Sequence, residues 1–299
     1  MDLEDIVSKY PPKTLMLIPA GVIVLALVIL GATWITTGSP VHLGVEFTGG
    51  TVVTVPATTS EEALSKQVAN YPLLDIRQLG GRYLMEFGPM SDSDYTALAK
   101  LITTQYQDAE IRYMGPVYSQ GLQEQALQYI PLSFLFMALV VLVIFRNPMV
   151  SGIVVGCALA DIFIAAASMN ITGVKLSLGT VAALLMLIGY SVDTDILLTK
   201  TALTPRRTLT VDETIVSAMR TGLMMTGTTI AAVLALFLTS NVLYMVIPGF
   251  QRMDIIADIS TVLLFGLAAD IFNTWITNAQ AIRWFMNRPK KSAAGRQKR

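Results

Sequence analysis

Six long apolar stretches leave this chain few ways to fold in water. They run 15–35, 126–145, 148–169, 176–198, 221–242 and 255–284. The hydrocarbon core of a bilayer is roughly 30 Å thick, and a helix rises about 1.5 Å per residue. A span therefore needs about 20 apolar residues, and each stretch supplies them. The fold class expected is an α-helical polytopic membrane protein with six transmembrane helices. The first stretch is too long for the core of a secretory signal, which takes about 7–15 residues. Composition agrees: 53% of residues are apolar and 14% charged, against roughly a quarter charged in soluble domains. The 21 basic and 21 acidic residues cancel, so no global basic field recruits nucleic acid. One cysteine, Cys157, and one histidine, His42, exclude an intrachain disulfide and a multi-histidine metal site. No cofactor, metal or catalytic residue is expected, and the chain does not read as an enzyme.

Lysine and arginine placement sets the orientation. With the N-terminus inside, Lys9, Lys13, Arg146, Lys200, Arg206, Arg207 and Arg220 fall on the inner side. Arg283 and the basic tail at 285–299 join them, while the short outer loops hold only Lys175 and Arg252. Both termini, 1–14 and 285–299, are thus expected in the cytoplasm. The loop 199–220 is expected there too, its part from Val211 to Met219 as a helix on the membrane surface. The segment 36–125 is expected outside, at a cytoplasmic membrane whose anionic lipids the basic tail could touch.

That outer segment has the composition of a small soluble domain. Gly49-Gly50 turns into a β-branched strand over 51–55, and Pro56 ends it. Ser60 is placed to cap a helix running to Asn70. Strands at 75–79 and 82–87 flank Gly80-Gly81 as a hairpin. A second helix begins at 91–94, and 109–114 closes the set. The order β-α-β-β-α-β is the ferredoxin-like α+β pattern. It carries no phosphate loop or metal spacing, so a binding or spacer role is expected. An extended polypeptide could add to one of its sheet edges.

Ionisable residues inside a bilayer need a reason, because each costs at least about 2.5–3.5 kcal/mol. Counting from the inner helix ends places Asp161 and Asp270 roughly 20 Å deep and Asp193 roughly 10 Å deep. Two layers are expected. The shallow one sets Ser191, Asp193, Thr194 and Asp195 opposite Thr226, Thr228 and Thr229, and the deeper one holds Asp161 and Asp270. No lysine or arginine lies at either depth. An aspartate without a cation must be protonated, hydrated or bonded to hydroxyls, and a group that exchanges among those states can serve a proton relay. The alternative is that the same acids simply tie helices together by hydrogen bonds. Arg220 is expected at the interface, its side chain reaching to the lipid headgroups. Gly152 and Gly156 have the spacing of a close helix contact.

The stretch Gly44-Val45-Glu46-Phe47-Thr48-Gly49-Gly50 resembles the glycine-pair signature of the SecD/SecF family. Ile188-Gly189-Tyr190-Ser191-Val192-Asp193 resembles that family's fourth-helix motif, and Gly115-Pro116-Val117 fits its second-helix entry. The resemblance covers essentially the whole chain. Where bacterial members carry Asn-Asp-Thr, this chain has Asp193-Thr194-Asp195, similar to archaeal members. Asp193 is then the first expected proton carrier and Asp195 the second, with Thr228 as hydroxyl partner. The family belongs to the resistance-nodulation-division superfamily, whose twelve helices form two six-helix halves. The resemblance therefore implies a chain that supplies one half and acts with SecD at the Sec translocon channel. It would promote export of unfolded secretory polypeptides, driven by the proton gradient. Two other readings stay open: half of a proton-coupled lipid or small-solute exporter, or a passive subunit that stabilises the translocon.

Overall fold

A computed structural model describes residues 16–79, 81–204, 210–247 and 253–286. The N-terminal segment, Arg206, Arg207, Arg252, Gly80 and the basic tail beyond residue 286 lie outside the described residues. Six helices are long and apolar enough to cross a membrane. Between the first and second of them sits a small α+β domain.

Helix α1 (Leu17–Thr37) ends on Gly38 in the left-handed conformation, where a side chain would be strained. A single helical turn, α2 (Val45–Thr48), then leads into β1 (Gly50–Pro56). Next come α3 (Glu61–Gln67), β2 (Leu73–Leu79), β3 (Arg82–Phe87), α4 (Asp92–Gln105) and β4 (Glu110–Met114). Ser60 caps α3 by accepting the Ala63 amide, as the sequence led one to expect, and Ser91 caps α4 by accepting the Asp94 amide. The strands lie in the order β2-β3-β1-β4, all antiparallel, which is the ferredoxin-like arrangement. Alternation decides the faces. Val53, Val55, Tyr83, Met85 and Phe87 point to one side and pack with Leu64, Leu98 and Ile102 from the helices. Leu84, Glu86, Arg77 and Arg112 fall on the other side, toward the helical bundle.

The second spanning helix, α5 (Pro116–Phe145), begins ten residues before the apolar stretch does. Gly115 precedes it and Pro116 occupies its first turn, where a missing N–H costs nothing. Its polar beginning carries the helix out of the membrane zone to the domain. Asn147 caps α6 (Pro148–Thr172) by accepting the Met149 amide at 3.0 Å. Ser177 and Thr180 form a capping box that starts α7 (Leu178–Leu203). A second box, Thr210 with Glu213, starts α8 (Val211–Asn241). Both helices thus reach into the segment assigned to the loop 199–220, of which residues 205–209 lie outside the described residues. The stretch Val211–Met219 is not a separate surface helix but the opening turns of α8, since the capping box fixes the start and nothing breaks the helix after it. After a turn, α9 (Leu243–Val246), the last span runs as α10 (Asp254–Phe272), a π-helical segment (Asn273–Asn278) and α11 (Ala279–Met286).

Helices α6, α7 and α10 form the interior of the bundle, while α1, α5 and α8 keep most of their apolar surface exposed. Two glycines allow close approach. A Cβ on Gly222 of α8 would stand 2.2 Å from the Trp275 ring, and one on Gly266 of α10 would stand 2.3 Å from Leu187. Gly152 and Gly156, by contrast, have no atom within 4 Å of a built Cβ. The contact expected of them is not made among the described residues, because both lie on an exposed face of α6.

A buried carboxylate network and a glycine elbow

Three helices deliver one acid each to the middle of the bundle. Asp161 comes from α6, Asp195 from α7 and Asp270 from α10, and all three are fully buried. The Ser191 hydroxyl donates to Asp161 Oδ2 at 2.5 Å, and the Asn273 amide donates to Asp161 Oδ1 at 2.6 Å. Asp195 Oδ1 accepts the Asn278 amide at 2.6 Å. The Thr274 hydroxyl stands 3.0 Å from Asp195 Oδ1 and 3.0 Å from Asp270 Oδ1. Asn278 also reaches Thr199 Oγ1 at 3.4 Å. Every hydrogen-bond partner of the acids is a hydroxyl or an amide, and no cation among the described residues pairs with any of them. Asp195 Oδ2, Asp270 Oδ2 and Asn278 Oδ1 are buried with no hydrogen-bond partner.

The π-helical segment makes this convergence possible. Asn273, Thr274 and Asn278 all lie in it. An extra residue in the turn shifts the side-chain register, a distortion that recurs at functional sites. Trp275, seated against Gly222, holds the segment in place.

The expected two layers are not kept apart: Ser191 of the shallow layer bonds Asp161 of the deep one, and Asp195 meets Asp270 through Thr274. Measuring depth from Lys200 underestimated Asp195, because α7 continues to Leu203. Asp193 is not part of the network: it lies on the exposed face of α7, two residues and hence roughly 200° around the helix from Asp195. Thr194 is buried but donates to its own helix at Tyr190 O, 3.0 Å away. Thr228 and Thr229 likewise donate to Met225 O, at 2.8 and 3.1 Å. Thr228 is therefore not a partner of Asp193. Thr226 is buried and makes no hydrogen bond to an acid among the described residues. Arg220 is exposed on α8. Asn273, Thr274, Asn278 and Thr199 were not anticipated. Their signal was the polar run Asn-Thr-Trp-Ile-Thr-Asn inside an otherwise apolar span.

The signature at 44–50 is an elbow between helix and sheet. The Gly44 amide donates to Leu176 O at 2.8 Å, and Leu176 N–H donates to His42 O at 2.7 Å. Leu43 and Leu176 so form an isolated parallel bridge. Phe47 is buried, and its carbonyl accepts the Gln123 amide of α5. Thr48 donates to Gly44 O at 3.2 Å. Gly49 has φ +74°, and Gly50 has φ +134° with Phe87 O only 2.2 Å from a built Cβ. Only glycine fits there. Glu46 faces a cleft of about 190 Å³ between sheet and bundle, lined also by Arg77, Glu86, Arg112 and Lys175.

Two family models match the chain: protein export membrane protein SecD/SecF, C-terminal, over residues 94–288, and the SecD/SecF GG motif over residues 34–61. The chain belongs to the SecD/SecF family. It is 38% identical over 286 residues to the protein-export membrane protein SecF of Methanolacinia petrolearia, covering 95% of this chain and 98% of that one. It is 36% identical to SecF of Pyrococcus furiosus, covering 92% and 91% of the two chains. The crystal structure of SecDF, a translocon-associated membrane protein from Thermus thermophilus, superposes with a TM-score of 0.71 at 20% identity. That match covers 96% of this chain and 40% of the other, so the chain spans well under half of that structure's length and shares its fold. Family membership and the six spans make this a multi-pass membrane protein of Sec-pathway protein export.

Proposed function

We propose that this chain is the SecF-type half of an export assembly, acting with SecD at the Sec channel to promote export of unfolded polypeptides. Proton movement through Asp161, Asp195 and Asp270 drives it. The observation that carries the reading is three fully buried carboxyl groups from three helices, bonded only to hydroxyls and amides. Fixed charges at that depth without cations are costly, so the cluster is suited to holding a proton and to releasing it when helices shift. A purely structural tie between helices would use neutral groups with less expense.

The exposed face of α7 supports a protein partner. It presents Gly189, Tyr190 and Asp193 on one side of a membrane helix, and a carboxylate facing lipid is disfavoured by about 2.5–3.5 kcal/mol. A second helical half covering that face would spare Asp193 the lipid. The excess of lysine and arginine on one set of loops supports a topology with both termini in the cytoplasm and the sheet domain outside.

The test is export of a secretory protein into inverted membrane vesicles containing this chain and its SecD partner, with and without a proton gradient. Asp195→Asn and Asp270→Asn are each expected to abolish the stimulation by the gradient while leaving assembly with SecD intact. Unchanged stimulation in both variants sinks the proton-coupled reading.

A further inference from the structure

One hydrogen is shared between two acceptors at the centre of the network. Thr274 Oγ1 lies 3.0 Å from Asp195 Oδ1 and 3.0 Å from Asp270 Oδ1, yet a threonine hydroxyl has a single O–H to donate. It can donate to one carboxyl and must accept from the other. Both contacts are hydrogen bonds only when one of the two acids carries a proton aimed at the threonine oxygen. Asp195 Oδ1 already accepts the Asn278 amide at 2.6 Å, which favours the arrangement in which Asp195 accepts and Asp270 donates.

We propose that Thr274 is the relay between Asp270 and Asp195, passing a proton through its own hydroxyl. The proton on Asp270 Oδ1 moves to Thr274 Oγ1 as the hydroxyl proton of Thr274 moves to Asp195 Oδ1. One O–H bond breaks and one forms at the threonine, which ends neutral. Asp270 becomes the carboxylate and Asp195 the acid, so charge is conserved. Rotation of the hydroxyl resets the pair. Asp195 Oδ2 and Asp270 Oδ2 are buried without hydrogen-bond partners among the described residues. The ionisable groups around the relay are Asp161 and Cys157 from α6, Asp195 from α7 and Asp270 from its own span. From α8, Gly222 lies against the Trp275 ring. The π-helical segment places the hydroxyl, and Thr274 touches both acids directly. The inference rests on the proton-coupled reading above and names a route within it.

The experiment uses vesicles holding the full chain with its SecD partner and reads proton flux with an internal pH-sensitive dye. Thr274→Val keeps the shape and removes the hydroxyl, and a roughly hundred-fold loss of flux is expected, the lower end of what a positioned proton-transfer group contributes. Thr274→Ser restores the hydroxyl and is expected to restore the flux, with a solvent deuterium isotope effect in both the parent and the serine variant. An infrared carboxylic acid C=O band that shifts in Thr274→Val and returns in Thr274→Ser reports the shared proton without reference to flux. Parent-like flux in Thr274→Val, or loss of flux in Thr274→Ser with the chain still assembled, overturns the relay. If Asp195→Asn blocks flux while Thr274→Val does not, the relay alone falls. If neither variant alters flux, the proton-coupled reading falls with it.

Discussion

The ion pair between Lys175 and Glu86 joins the sheet domain to the turn between α6 and α7, and its worth can be worked from burial. Glu86 lies on β3 with a side chain 11% exposed, and Lys175 is 27% exposed. Arg77 stands at 3.7 Å from the same carboxylate. Breaking a fully buried pair costs about 3–5 kcal/mol, whereas an exposed one is worth about 0.2–1 kcal/mol. This pair falls between, and Arg77 compensates in part, so Lys175→Met should cost roughly 1–3 kcal/mol of docking. The coupling between Lys175→Met and Glu86→Gln in a double-mutant cycle should be about 1–2 kcal/mol. The reporters are the amides of Leu176 and Gly44, whose hydrogen bonds join the α6–α7 turn to the segment that leads into the sheet domain. Hydrogen exchange at those two amides should accelerate about 5- to 150-fold in either single variant. The double variant should exchange little faster than the singles. A coupling below about 0.5 kcal/mol, or exchange at Leu176 unmoved by loss of Lys175, would refute a docking role for the pair.

Other outcomes follow from single positions. Gly50→Ala forces a Cβ to within 2.2 Å of a backbone oxygen at φ +134°. It should destabilise the sheet domain by at least about 1–3 kcal/mol, read as faster proteolysis between α1 and α5. Gly222→Ala should expel the Trp275 ring from its seat and shift the tryptophan emission spectrum, with loss of gradient-stimulated export because Thr274 is its neighbour. Ser91→Ala removes the cap of α4 and should cost about 1 kcal/mol of domain stability, visible as a lower melting temperature. The Tyr113 phenol donates to Asp92 Oδ1 at 2.9 Å, and this bond to the carboxylate holds its pKa above the usual 10.0. The neutral phenol is the bonded form, so any stabilisation is complete below the ordinary tyrosine value and vanishes as pH climbs through the raised one. Asp92→Asn should bring the ultraviolet titration of Tyr113 back down.

Much of this architecture was legible because its causes are local. Six long, mostly apolar stretches led to six spans, and Ser60, the polar run from Ser91 and the Gly49-Gly50 turn marked elements of the sheet domain. The order of strands followed from the order of elements. What was not legible depended on rotation about helix axes. Asp193 and Asp195 are equivalent in composition and depth, yet the structure buries one and exposes the other because a helix turns roughly 200° in two residues. Thr228 was drawn toward the acids by its level in the membrane, but a threonine in a helix readily bonds its own backbone, as Thr228 and Thr229 both do. The part played by Thr274 and Asn278 required the π-helical turn, which no pattern of apolar residues announces. The glycines at 152 and 156 had the right spacing on the wrong face.

The bridge between Leu43 and Leu176 has a mechanical corollary. Leu176 sits in the turn where α6, bearing Asp161, hands over to α7, bearing Asp195. Leu43 sits just ahead of the elbow glycines that feed β1. The two segments are joined by two backbone hydrogen bonds, Gly44 N–H to Leu176 O and Leu176 N–H to His42 O, rather than by pliable side chains. The turn that joins two of the acid-bearing helices is thereby stitched, backbone to backbone, to the strand-like segment that enters the sheet domain.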